Sequence, residues 1–138
     1  MYNMLTKEQK HNEQVTNNFN LSEMEFYDRI PEYKLAVARD LLKNLQVIRD
    51  ACGKSIKIIS GYRSPQRNES VGGAKKSQHM EANAADIQIK DMTPKQMYDL
   101  VEKLIKDKKI KEGGLGVYPR EGGWIHYDIR GSKARWEG

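Results

Sequence analysis

Two of the three histidines in this chain sit in short segments where an imidazole and a carboxylate stand close together. His79 ends Ser77-Gln-His79 and is followed by Ala84-Ala-Asp86, and His126 lies within Trp124-Ile-His126-Tyr-Asp128-Ile-Arg130. Two imidazoles and a carboxylate brought together in space form a three-ligand zinc site with an open fourth position. Hydrolytic zinc enzymes use that arrangement to activate water. The remaining histidine, His11, lies in the polar N-terminal tail.

Such a site needs elements that aim these groups at one point. Side chains two apart on a strand share a face. In the segment 124–130, Ile125, Tyr127 and Ile129 therefore fall on one side, and Trp124, His126, Asp128 and Arg130 on the other. Ala84 to Lys90 divides in the same way, with Ala85, Ile87 and Ile89 opposed to Ala84, Asp86 and Gln88. His79 and Asp86 have opposite strand parity, so one continuous strand does not present both to a metal. The chain must turn between them, through Met80 to Asn83, and His126 must arrive from a neighbouring hairpin. Spacing alone does not demand a metal, because the chain has neither HExxH nor CxxC.

The clearest helix is expected over residues 32–52, after Pro31. Leu35, Ala38, Leu41, Leu42, Leu45 and Ile48 repeat there at helical spacing, and Gly53 supplies a stop. Ser22 is expected to cap a short helical turn carrying Met24 and Phe26. Ile56 to Ser60 reads as a buried strand, and Gly61 to Gln78 as a long loop of the kind that carries function. Thr93 and Pro94 start a second helix with Met97, Leu100, Val101, Leu104 and Ile105 on its apolar face. Leu115 to Tyr118 and Trp124 to Arg130 read as strands joined by Pro119-Arg-Glu-Gly-Gly123. This order predicts an α+β domain: a small, mainly antiparallel sheet packed with two main helices, the metal site on the sheet face.

The chain has 138 residues, of which 38% are hydrophobic and 31% charged, as expected for one soluble globular domain. Residues 1–18 read as a polar extension and 19–138 as the domain. No apolar run approaches the roughly 18 residues that cross a bilayer. Met1 to Asn20 lacks the apolar core of a signal peptide, so a cytoplasmic protein is expected until it is released to its target. Cys52 is the only cysteine, which excludes an internal disulfide and a zinc site built on several thiolates; near a helix end it reads as a small buried hydrophobe. The net charge of +5 and pI near 9.2 favour anionic surroundings, such as nucleic acid or a bacterial wall. The basic residues are scattered, apart from Lys106 to Lys111, which reads as a solvated helix end. No aromatic interleaving or nucleic-acid motif accompanies them, so nucleic acid is not the expected partner.

Several motifs in order resemble the M15 family of zinc D-Ala-D-Ala carboxypeptidases and murein endopeptidases, from about residue 19 to 136. They are Ser60-Gly-Tyr-Arg-Ser-Pro65, Asn68, Val71-Gly-Gly-Ala74, Ser77-Gln-His79, Ala84-Ala-Asp-Ile87, Gly114-Leu-Gly-Val-Tyr-Pro119 and His126-Tyr-Asp-Ile-Arg130. The last two are similar to the small peptidase branch, and Phe19-Asn-Leu-Ser-Glu23 resembles the opening of such domains.

The resemblance implies that His79, Asp86 and His126 are the ligands of a Zn2+ ion. It implies that Arg63 orients substrate or stabilises an oxyanion, and that Ser77 supports the metal loop or a substrate carbonyl. The implied reaction is hydrolysis of a peptide bond in peptidoglycan stem peptides, by a D,D-carboxypeptidase or endopeptidase acting as a monomer, of the kind a phage endolysin performs. A non-catalytic zinc- and peptidoglycan-binding module is the alternative. The chain departs from the pattern at Ala82, where the family usually has glycine, and at Gly123, where some branches carry an acid. Asp128 and Glu121 are the carboxylates left to act as base. Asp128 shares the face of His126, so it is expected to act as the base, to orient the histidine, or to bind zinc itself with His126 as an acid.

Overall fold

The computed structural model describes residues 11–138. It is α+β: five strands form one open, mostly antiparallel sheet, with three α-helices among the described residues. The residues 1–10 of the expected extension lie outside the described residues.

Helix α1, Leu35–Cys52, forms where the apolar spacing predicts it, preceded by a 3-10 turn over Glu32–Lys34. All six apolar positions of its inner face are buried. Gly53 ends the helix in the left-handed region at φ 66°, where a residue without Cβ is favoured, and its N–H returns to the Arg49 carbonyl. Helix α2, Pro65–Ser70, and helix α3, Pro94–Lys106, both begin with proline behind a hydroxyl cap. Ser64 and Thr93 accept from the backbone N–H three residues on.

Strands β1 (Ile56–Ser60), β2 (Ala84–Ile89), β3 (Gly114–Tyr118), β4 (Trp124–Asp128) and β5 (Ala134–Glu137) lie in the order β1-β2-β4-β3-β5. Every pairing is antiparallel except β3 with β5, which is parallel. One sheet face carries Ala85, Ile87, Ile89, Leu115, Ile125 and Tyr127. These join Leu41, Leu45, Ile48, Val101 and Ile105 in a single core. The opposite face is left to the polar row.

Several expectations need correction. Asn20, not Ser22, caps the first turn (Leu21–Met24). Its side chain accepts from Ser22 N–H, while the Glu23 carboxylate accepts from Asn20 N–H, at 2.9 and 2.6 Å. Only Met24 of the two expected apolar residues is buried, because the turn ends before Phe26. The long loop holds helix α2, which the Ser64-Pro65 start signals and the polar composition hides. The polar tail is also more than a tail at its inner end. His11 is buried against the Glu25 carboxylate at 2.6 Å, and Glu13 pairs with Arg39 on α1. Cys52 is half-buried, packed at the margin of the core.

Strand β5 was not expected. Ala-Arg-Trp-Glu is short and half charged, and it is held by partners distant in sequence. Arg135 donates to both carboxylate oxygens of Glu102 on α3, at 2.7 and 2.8 Å, and to Glu112 at 2.9 Å.

Candidate metal centre

Sheet register builds the site. Asp86 on β2 lies directly opposite His126 on β4, which lies opposite Gly116 on β3, which in turn lies beside Trp136 on β5. Directly opposed residues project to the same side of a sheet. Asp86 and His126, which alternation put on the polar faces of their strands, are therefore immediate cross-strand neighbours, at the centre of the sheet. The Gly114-Leu-Gly motif has a physical reason on this face. A Cβ at Gly114 would lie 2.3 Å from an oxygen of Asp128, and one at Gly116 2.3 Å from the indole nitrogen of Trp136. Only glycine leaves room for both.

His79 reaches the same point from a separate turn. The 3-10 turn Gln78–Glu81 is capped by Ser77, whose hydroxyl accepts from His79 N–H, and it ends at Ala82. Arg63 N–H donates to the His79 carbonyl, and the Lys34 ammonium donates to the Met80 carbonyl at 2.7 Å, so the turn is pinned on both sides.

His79, His126 and Asp86 each offer one ligand atom, and these atoms all lie within 4.8 Å of one another. Asp86 Oδ1 is 3.4 Å from His79 Nε2 and 3.3 Å from His126 Nδ1. Each imidazole has its far nitrogen engaged. His79 Nδ1 lies 2.7 Å from the Gly61 carbonyl, and His126 Nε2 lies 2.7 Å from Asp128 Oδ2. A carbonyl or carboxylate oxygen can only accept, so each far nitrogen carries hydrogen, and a ring in its neutral form turns a lone pair inward. Two lone pairs and a carboxylate facing one another repel. A cation among them, a metal ion or a proton, relieves that repulsion, and the nitrogen and oxygen donor set suits zinc. The outward hydrogen bonds are those by which metal-binding histidines are held in ring orientation and tautomer.

The electrostatics follow from burial and pairing. Burial by itself raises the Asp86 carboxyl, but hydrogen bonds and charge from His126 and His79 in their protonated form outweigh it and hold the group at about 2. Burial pulls His126 down, and the carboxylates of Asp128 and Asp86 more than reverse this, leaving it raised. Asp128 is fully buried, which raises its carboxyl. Hydrogen bonds from His126, Arg130 and the Gly114 N–H overcome that and leave it well below the ordinary carboxylate range. Its Oδ1 accepts from Gly114 N, Arg130 N and Arg130 Nε, and its Oδ2 from His126 and Arg130 Nη2.

A family model described as Peptidase M15 matches residues 3–128. The chain belongs to the M15 peptidase family. No curated protein matches it.

A cleft of about 400 Å³ opens over this centre, and Arg63, Ser77, His79, Asp86 and His126 all line it. Arg63 spends one guanidinium nitrogen on Asn68 Oδ1 at 3.2 Å, and the M15 motif residue Asn68 in turn holds the Ala74 carbonyl. Asp128 sits beneath the cleft and does not line it. Glu121 is exposed in the β3–β4 connection, away from the cleft. Asp86 is the only carboxylate among the described residues lining it. Trp124 does not line the cleft either. It stacks on Tyr118 at 4.8 Å and 14°, with the Arg120 guanidinium over its ring.

The backbone at Ala82, the position expected to depart from the family pattern, is of the kind that favours glycine. Ala82 adopts φ 60° and is fully buried, so an L side chain occupies a left-handed position that usually falls to glycine. Tyr118 and Trp136 are cleft residues that sequence reasoning missed. Tyr118 stood within a quoted motif, and its parity with Gly116 was available as a signal. Trp136 had none, because nothing local marks β5 as a strand.

Proposed function

We propose that this M15 peptidase is zinc-dependent and hydrolyses a peptide bond in bacterial peptidoglycan stem peptides, as a D,D-carboxypeptidase or endopeptidase. The observation that carries the reading is the convergence of two inward-turned imidazole nitrogens and one carboxylate oxygen at the floor of an open cleft. His79, Asp86 and His126 would hold the ion. It would supply Lewis acidity, activating a water molecule near neutral pH and polarising the scissile carbonyl. Three ligands leave a position for water and substrate.

The chain's own groups do the rest. Arg63 is a permanently charged, planar donor in the cleft wall, suited to orienting a substrate carboxylate or carbonyl and to stabilising negative charge as it develops. Ser77 holds the turn that carries His79 and presents its hydroxyl at the cleft edge. Asp128 keeps the Nε2 proton of His126 in place and makes the ring a stronger donor; its two oxygens already accept five hydrogen bonds, so we assign it positioning rather than proton abstraction. Burial, those five bonds and the absence of cleft surface support that assignment over the base role and over direct metal binding. The net charge of +5 would hold the protein on an anionic wall. We place the peptidase unit at residues 19–138, acting as a monomer released to the wall in the manner of a phage endolysin.

The substitution His126→Ala should abolish zinc binding and sacculus lysis while leaving the circular dichroism of the fold intact. Lysis of purified sacculi at the wild-type rate by that variant refutes the mechanism. A second reading has a specific observation behind it: no uncommitted carboxylate lines the cleft among the described residues, as a non-catalytic zinc- and peptidoglycan-binding module would allow. Mass spectrometry of muropeptides incubated with the zinc-loaded protein separates the two, since the module returns them uncut.

A further inference from the structure

Tyr118 and Trp136 line the cleft beside His126, outside the ligand set, and Trp136 lies beyond residue 128, where the family match ends. Trp136 reaches the site because Gly116 has no side chain, and its ring packs on His126 with centroids 4.9 Å apart. Its Nε1–H, which can only donate, gives a hydrogen bond to the Tyr118 hydroxyl at 2.9 Å. The Tyr118 ring is itself fixed by stacking on Trp124. Conjugation keeps a phenolic O–H near the ring plane, so accepting a bond on one side directs the hydroxyl proton to the other. That proton has no acceptor among the described residues. A hydroxyl held at a metal cleft, with its acceptor role filled and its donor role free, is suited to a substrate oxygen.

We propose that Tyr118 is a catalytic hydrogen-bond donor, oriented by the Trp136 indole, that binds the scissile carbonyl oxygen and strengthens its bond as that oxygen becomes a tetrahedral oxyanion. The proposal rests on the peptidase reading above. No proton is transferred in this step: the phenol keeps its hydrogen and stabilises the charge through the hydrogen bond alone. Sheet order gives Tyr118 a distinct place among the donors. Arg63 follows β1, Tyr118 is on β3, and the ligand pair Asp86 and His126 lies on β2 and β4 between them. Donors therefore flank the reacting centre from both sides, one charged and one neutral.

The test compares wild type, Tyr118→Phe and Trp136→Phe, all zinc-loaded, on a purified stem-peptide substrate, with zinc per chain measured in each. Phenylalanine keeps the stack on Trp124 and removes only the hydroxyl. We expect Tyr118→Phe to lose about 10²-fold in kcat, the scale for removing one oxyanion donor, with KM within about twofold and full zinc occupancy. A phosphinate analogue of the substrate should lose affinity for that variant by a similar factor. Trp136→Phe keeps a ring on His126 and the Tyr118 hydroxyl but not its orienting donor, and should lose about threefold to tenfold in kcat. Wild-type kcat in Tyr118→Phe, loss of zinc from it, or a change confined to KM overturns the proposal while the peptidase reading stands. A wild-type protein that cuts no stem peptide overturns that reading, and the proposal with it.

Discussion

The side chain on which the centre turns is Asp128, because it decides which nitrogen of His126 would face the proposed ion. With Nε2–H committed to a buried carboxylate, only Nδ1 is left to face Asp86 and His79. Asp128→Asn tests positioning against base catalysis. An amide cannot match five donors, so the ring should lose its fixed tautomer and zinc affinity should fall about 10- to 100-fold in a chelator-competition titration. Unchanged zinc affinity with collapsed turnover is the result expected of a base and counts against the positioning role. Sequence parity placed Asp128 on the same face as His126, but parity is silent on burial. Full enclosure and the guanidinium of Arg130 support the orienting role proposed for it over that of a carboxylate that meets water.

Among the elements, the turn between His79 and β2 and the terminal strand β5 carry the clearest consequences. Ala82 combines a left-handed backbone, which costs an L residue about 1–2 kcal/mol, with a buried methyl worth roughly 0.8 kcal/mol. The two partly offset each other, so Ala82→Gly should change stability by no more than about 1.2 kcal/mol. Ala82→Val, with a branched Cβ at the same φ, should lose more than about 2 kcal/mol, with denaturant melts as the measure. Equal stabilities for all three proteins contradict the strained turn.

Strand β5 depends on Arg135. Hydrogen bonding to Arg135 holds the Glu102 carboxyl below its ordinary 4.5, against the opposing effect of burial. At Glu112 burial raises the carboxyl, and Arg135 and the Gly113 N–H lower it overall. A depressed carboxyl contributes its full stability above its unfolded value near 4.5, and loses it as pH falls through the lower folded value. Amide protection over residues 134–137, relative to the intrinsic exchange rate at each pH, should therefore fall below about pH 4.5 before that of the core amides, and Glu102→Gln should flatten that dependence. Protection of β5 that follows the core at every pH is the contrary outcome. Because Trp136 sits on this strand, acid loosening also removes a wall of the cleft.

For the molecule as a whole, the proposed ion would tie together a turn and two strands that are far apart in the chain, so its binding energy is also folding energy. Free zinc at about a thousand times the dissociation constant adds roughly 4 kcal/mol to stability, which for a domain of this size raises Tm by on the order of 10 °C. Removal with a chelator should reverse that shift, and calorimetry that finds no difference excludes a bound ion of that affinity. No helix among the described residues is long and apolar enough to cross a membrane.

The two main helices, four of the strands and the mainly antiparallel sheet were legible because their signals are local: apolar period, a proline behind a hydroxyl cap, a glycine stop. The face bearing Asp86 and His126 was legible for the same reason, since strand alternation is a property of neighbours in sequence. Tertiary structure decided what depends on contacts between distant residues. It set the cross-strand register that puts Asp86 opposite His126, the turn that brings His79 to them, the enclosure of Asp128, and the parallel docking of β5 that delivers Trp136. Those outcomes are settled by burial and by partners many residues away, and no window of sequence contains them.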